Sequence, residues 1–268
     1  MKRKFIDQMN RMVEIDFPPK RIISLVPSQT ELLYDLGLTD EVIGQTIFCI
    51  HPQSMHLEKT RVGGTKKINL TIIESLIPDL IIGNKEENDQ TQVEELMKHY
   101  PVWMSDIKTL EDALGMIIKV GELVDNEEKA IEISTKIKSG FDSHAISQSH
   151  NLTLYLIWRE PYMAAGNDTF INDMLKRCGL KNACNNINSR YPEIDLITLQ
   201  KLNPKFIFLS SEPYPFKQKH IDELKNICPD SEILLVDGEL FSWYGSRLVH
   251  SIEYFTSLMN VIAPPSHL

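Results

Sequence analysis

The chain has 268 residues, 42% of them hydrophobic and 24% charged, with a formal net charge of -9. That is the make-up of an ordinary globular protein, long enough for one large domain or two modest lobes. The acidic balance, without any stripe of lysine and arginine, speaks against nucleic acid and against an anionic membrane surface, both of which reward basic faces.

The opening MKRKFIDQMN has the basic start of a secretory leader but not the apolar run that follows in one. No segment approaches the roughly 18 apolar residues of a membrane span. As written, the sequence reads as cytoplasmic; the alternative is a periplasmic or cell-surface protein whose leader has been removed. Cys49, Cys178, Cys184 and Cys228 fit no CxxC or zinc spacing. The last three read as free buried thiols, although Cys178 and Cys184 are close enough for a loop disulfide.

In chain order, 21–26 (RIISLV) predicts a strand, with Pro27 and Ser28 as break and helix cap, and 30–36 (TELLYDL) a helix stopped by Gly37. Strands follow at 41–44, 79–82 and 102–104, with helices at 70–76 and 90–99. Residues 109 to about 144 carry apolar side chains at helical spacing without proline, a strut of roughly 30 to 45 Å if continuous. Asp125-Asn126-Glu127 could cap a second helix and so break it. The alternation then restarts, with strands at 152–158, 206–209 and 233–236 and helices at 170–178, 196–202, 221–227 and 247–261. This is the rhythm of parallel sheets with crossover helices. It divides the chain into an N-terminal lobe, 1–108, a linking helix, 109–145, and a C-terminal lobe, 146–268.

Candidate binding residues gather where predicted strands end. Cys49 and His51, two apart, could share a soft metal if extended, or could pack and hydrogen-bond within the loop. Glu86 and Glu87 could meet a cation or ligand amides, or begin a solvated helix. Trp158, Arg159 and Tyr162 suit a flat or anionic ligand; the alternative is a packed tryptophan beside a surface ion pair. Glu212 and Tyr214 lie in one aromatic, acidic loop, and Glu239, Trp243, Tyr244 and Arg247 in another, both expected at one edge of the second half-sheet. Pro27 and Ser28 complete the candidates. No nucleophile elbow, phosphate loop, HExxH or GxGxxG is present, so no catalytic residue and no catalytic cofactor is expected.

Over nearly its whole length the sequence resembles the helical-backbone (class III, TroA-like) periplasmic binding proteins, in particular the vitamin B12-binding branch of ABC import. The segments that carry this are DQMNRMVEIDFPPKRIISLVPSQTELLYDLGL, VGGTKKINLTIIESLIPDLIIG, NDTFINDMLKRCGLKN and YPEIDLITLQKLNPKFIFLSS; IPDLIIGN and NPKFIFLS repeat one element in both halves. The resemblance implies an α/β fold of two Rossmann-like lobes with central parallel sheets, joined by a long backbone helix. It implies a monomer that captures a corrinoid or other metal chelate in an inter-lobe cleft with little hinge motion. It also implies an ABC permease as partner, docked through a glutamate on each lobe. Here those positions hold Thr71 and Ile197, with Glu74 and Glu193 nearby. The alternatives are a cytosolic carrier or sensor of metal ions or corrinoids with no transporter, and an enzyme working at the same cleft.

Overall fold

A computed structural model describes residues 1–143 and 151–262. The 144–145 end of the expected linking helix and the tail 263–268 lie outside the described residues. Spatial contacts sort the chain into two compact units. Unit 1 holds Met1–Ile107, Glu111–Ser139 and Trp243–Val249; unit 2 holds Lys108–Leu110, Gly140–Ser242 and His250–Leu268.

Unit 1 opens with an antiparallel hairpin, β1 (Lys2–Ile6) and β2 (Met12–Asp16). Its turn is tied by Asp7, whose buried carboxylate accepts from the backbone N–H groups of Met9 and Arg11, each at 2.9 Å, and from the Arg11 guanidinium. The chain then lays down β3 (Ile22–Ser24), α1 (Pro27–Asp35), β4 (Val42–Gln45), α2 (Gln53–Glu58) and β5 (Thr60–Arg61). It continues through α3 (Leu70–Leu76), β6 (Leu80–Asn84), α4 (Gln90–Met97) and β7 (Val102–Ser105). The five strands β3 to β7 pair in parallel in the order β5-β4-β3-β6-β7. Every residue of β6 and β7 is buried, which is why these strands read as apolar runs and not as alternating patterns.

The expected long helix is two helices, α5 (Leu110–Leu123) and α6 (Glu127–Ser143). Leu110, Ala113, Met116, Ile117, Val120 and Leu123 form the buried stripe of α5 at three- and four-residue spacing. The break sits at Asp125, in the left-handed region at φ 63°. Beside it, the Asn126 side-chain amide donates to the Leu36 carbonyl at 2.5 Å. Gly121 is required there: a Cβ would lie 2.3 Å from that of Ala130.

Unit 2 repeats the plan with β8 (Leu152–Trp158), β9 (Met163–Ala164), α7 (Phe170–Arg177), β10 (Lys181–Asn182), α8 (Leu196–Leu202) and β11 (Phe206–Ser210). It closes with α9 (Gln218–Ile227), β12 (Glu232–Val236), α10 (Gly238–Ser242) and α11 (Leu248–Ile262). β10, β8, β11 and β12 are parallel in that order, and the short β9 adds antiparallel to the last residues of β8. Tyr155, Phe206, Phe208, Phe241 and Phe255 are all buried here, and their neighbouring rings meet at centroid distances between 4.6 and 6.4 Å.

The repeated sequence element is one local construction made twice. α3 is capped by Asn69, which accepts from Ile72 N–H, and α8 by Asp195, which accepts from Thr198 N–H. Each helix ends on a left-handed residue, Ile77 at φ 47° or Asn203 at φ 37°, followed by a proline and a fully buried strand. Asparagine tolerates that backbone, whereas β-branched isoleucine is strained in it. Ile77 is moreover 70% exposed, so its side chain gains little from packing. Ile77→Asn should therefore stabilise the protein by about 1 kcal/mol, read as a higher urea midpoint, and Asn203→Ile should do the reverse.

All four cysteines are free and buried. Burial pushes the thiols of Cys49 and Cys184 from the ordinary 9.0 up to about 11, and raises those of Cys178 and Cys228. Above the ordinary value, unfolded thiols release protons that the folded chain retains. The stability from these groups is thus complete below the unfolded value and falls as pH climbs toward the folded one. Urea midpoints should be level from about pH 7 to about 8.5 and decline above about pH 9, less steeply in a Cys49→Ala, Cys184→Ala variant.

Candidate functional site

In an open parallel sheet, ligands settle outside the carboxyl ends of the strands, at the point where strand order reverses. In unit 1 the chain starts at β3, steps outward to β4 and β5, and returns on the other side to β6 and β7, so the reversal lies between β3 and β6. In unit 2 it lies between β8 and β11. Pro27 and Ser28 follow β3, Cys49 and His51 follow β4, and Glu86 and Glu87 follow β6. Trp158 ends β8 with Arg159 and Tyr162 after it, Glu212 and Tyr214 follow β11, and Glu239 follows β12.

Within unit 1, Asn84 and Asn88 shape the loop after β6. Asn84 Oδ1 accepts from the N–H groups of Glu86 and Glu87, at 2.8 and 3.1 Å, and Asn88 Oδ1 accepts from Asn84 N–H. Asn88 Nδ2 donates to the carbonyls of Leu25 and Thr65, joining this loop to the one after β3. Gly83 leaves room for it, since a Cβ there would meet Asn88 Oδ1 at 2.6 Å.

The segment Trp243–Val249 belongs to this unit. Tyr244 is buried and its hydroxyl donates to Glu87 Oε1 at 2.5 Å; burial first, and the Glu87 carboxylate second, hold its phenol well above the usual range. Arg247 grips Glu31 through two bonds of 2.8 and 2.7 Å and lies 4.8 Å over the Trp243 ring. The Trp243 ring meets His51 edge-on at 5.6 Å. Gly245 packs against the Ser28 carbonyl, where a Cβ would stand at 2.4 Å. The sequence expectation put Trp243, Tyr244 and Arg247 on the wall of Glu212 and Tyr214; the structure groups them with unit 1, where Tyr244 bonds to Glu87 and Arg247 to Glu31.

Cys49 turns inward, its sulfur 3.1 Å from the hydroxyls of both Thr30 and Thr46, while His51 faces Trp243. Among the described residues, no three or more His, Cys, Asp and Glu side chains gather so as to hold a metal ion. What the loop after β4 exposes is apolar: Ile47, Phe48 and Ile50. These three escaped the sequence reading, which followed the metal-capable types; the visible signal was the run TIFCI, too apolar for an ordinary loop.

In unit 2, Trp158 is 41% exposed and meets Tyr214 edge-on at 5.6 Å, which puts an aromatic pair at the reversal point. Arg159 donates to both oxygens of Glu223, at 3.2 and 2.9 Å, and to Glu160. Tyr162 donates to Glu223 at 2.8 Å. Burial and the Glu223 carboxylate push the Tyr162 phenol up to about 12. Burial alone would raise Glu223, but the bonds from Tyr162 and Arg159 outweigh it and hold its carboxyl below the ordinary value. Glu212 accepts from Ser242 at 2.8 Å, and Glu239 stands half-buried in the first turn of α10. Glu31, His220 and Glu223, which organise these loops, were not singled out from sequence; each is a polar residue inside a helix, indistinguishable there from a surface position.

The sequence profile of the periplasmic binding protein family matches residues 22–226. The chain is 26% identical over 265 residues to YvrC of Bacillus subtilis (strain 168), an uncharacterized ABC transporter substrate-binding lipoprotein, covering 92% of this chain and 82% of that one. Among solved structures, the periplasmic vitamin B12-binding protein BtuF of Vibrio cholerae superposes with a TM-score of 0.79 at 20% identity, over 92% of this chain and 99% of that one. The periplasmic heme-binding protein RhuT of Roseiflexus sp. RS-1 gives 0.78 at 16% identity, over 91% and 99%. At such identities these two likenesses concern the fold. The names of the relatives lend no support to the cytoplasmic reading, and among the described residues no helix is long and apolar enough to cross a membrane. Two doubly wound parallel sheets, the α5–α6 connector and a profile match across most of the chain make this protein a member of the periplasmic binding protein family, of the helical-backbone class III type, a family of non-catalytic substrate-binding proteins of ABC transporters.

Proposed function

We propose that this chain captures a corrinoid or another flat metal chelate outside the cytoplasm and delivers it to an ABC permease. The observation that carries the ligand class is the Trp158–Tyr214 pair at the strand-order reversal of the second sheet, in which an exposed Trp158 ring is backed edge-on by the half-buried Tyr214. An exposed indole at such a place offers wide contact area and, held by a neighbouring ring, loses little conformational entropy on binding. Phe48, Ile47 and Ile50, exposed after β4, add apolar surface at the carboxyl end of the first sheet. The relatives named for vitamin B12 and heme point the same way. The metal arrives inside its chelator, which asks for flat apolar contact and not for a donor set.

Of the candidates, Pro27, Ser28, His51, Glu86, Glu87, Trp158, Glu212, Tyr214, Glu239 and Trp243 serve as contacts. Arg159, Tyr162, Tyr244 and Arg247, engaged with Glu223, Glu87 and Glu31, hold the contacts in place. Cys49 supports its loop. Along the chain the lobes run 1–108 and 146–268, except that Trp243–Val249 packs with the first, and the permease meets the exposed first turns of α3 and α8, where Thr71 and Ile197 stand with Glu74 and Glu193 close in sequence.

Titration of the purified protein with cyanocobalamin, cobinamide, haemin and ferric siderophores should give roughly micromolar or tighter binding for at least one. Trp158→Ala should weaken that binding by about 1 to 3 kcal/mol with little loss of stability, because the side chain is substantially exposed. Flat isotherms for every chelate would remove the ligand assignment.

A further inference from the structure

The Trp158–Tyr214 pair is supported from behind by a buried histidine. His220 is the third residue of α9 and is 2% exposed. Its Nδ1 accepts the Lys217 N–H at 2.8 Å, closing the start of the helix. With Nδ1 an acceptor, the neutral ring carries its proton on Nε2, which lies 3.4 Å from the Tyr214 hydroxyl. The imidazole also meets the rings of Tyr214 and Phe216 edge-on, at 5.5 and 5.4 Å, and those two rings meet at 4.7 Å. One side chain therefore fixes both the end of the 211–217 loop and the ring that this loop sets against Trp158.

We propose that His220 is the positioning residue of this aromatic pair, and that its protonation releases Tyr214 from Trp158, so that the protein loosens its hold on ligand in acid. The inference deepens the ligand reading above and rests on it for its last step only. A second proton has to go on Nδ1, where it would face the Lys217 N–H, donor against donor, and cancel the bond that closes the loop. Every neighbouring element bears on the charge. Lys217 and Lys219, beside His220 in sequence, and Arg159, from the loop after β8, oppose an imidazolium, while Glu223, one turn further along α9, favours it. Burial, the largest effect, and these cations together hold the imidazole below its ordinary value of 6.5. A depressed folded-state value means the arrangement is intact above the unfolded value and is lost as pH falls through the folded one.

Acrylamide quenching of tryptophan fluorescence in the ligand-free protein tests the structural step. In a Trp243→Phe background the quenchable signal comes from Trp158, since Trp103 is fully buried. Quenching should increase as pH falls from about 7.5 to about 5. His220→Asn, whose Oδ1 can accept from Lys217 without titrating, should keep quenching low and level. His220→Ala should raise it at both pH values, and where that variant is unstable the asparagine variant decides. Quenching that is level in the parent, or that follows pH equally in His220→Asn, overturns the proposal. With cyanocobalamin as probe, the dissociation constant should weaken by about tenfold over the same range, the equivalent of one pH unit of differential proton affinity, and stay level in His220→Asn. A level constant in the parent as well overturns the coupling to ligand. If no chelate binds at all, the ligand reading fails, while the quenching assay still decides the role of His220.

Discussion

A parallel strand cannot reach its neighbour through a tight turn; it needs a crossover, and the crossovers leave all carboxyl-terminal loops on one edge of the sheet. When the chain starts in the middle of the sheet and builds first one side and then the other, the two central loops diverge and leave an opening. Both sheets here are wound in that way, from β3 and from β8. That the loop of Ser28 neighbours the loop of Glu87, and the loop of Trp158 that of Tyr214, follows from that winding before any side chain is considered. What the side chains add is the shape of each opening. Asn84 and Asn88 pin the first; His220 and Glu223, both on α9, pin the second.

The openings are polar yet internally balanced. Arg247 sets Nε and Nη2 against the two oxygens of Glu31, the paired geometry in which a guanidinium recognises a carboxylate best, and Arg159 spans both oxygens of Glu223 from Nη2 alone. The Arg159 cation, which the sequence suggests for a flat or anionic ligand, is thus committed to the protein's own Glu223. Among the large apolar side chains of these loops, Ile47, Phe48, Ile50 and Trp158 stay exposed, so rings and aliphatic groups share each edge with the carboxylates.

Much of this architecture was legible in the chain itself. Strands β6, β8 and β11 announce themselves as buried β-rich runs, and α1, α4, α7 and α11 as periodic segments with recognisable ends. The two-residue strands β5, β9 and β10 were not, because a pairing so short is set by its neighbour and leaves no periodicity. Nor was the allegiance of Trp243–Val249, which depends on Arg247 finding Glu31 across 216 residues of sequence. The loop after β4 shows a subtler failure. Alternation in an extended chain puts Cys49 and His51 on one side, but the loop is folded so that Cys49 goes inward to Thr30 and Thr46 and its apolar neighbours go out.

The excursion of Trp243–Val249 into unit 1 bears on how such a protein can be divided. A gene fragment ending near the connector would encode the whole first sheet, yet Glu31 would lack its guanidinium and Glu87 its phenol, and the surface against Ser28 would be bare where Gly245 belongs. A fragment beginning after the connector would carry those seven residues with nothing to receive them. The internal repeat suggests two interchangeable halves, but the chain has been stitched so that the first borrows Trp243–Val249 from beyond the second sheet, and translation must reach the final helix before the first unit is complete.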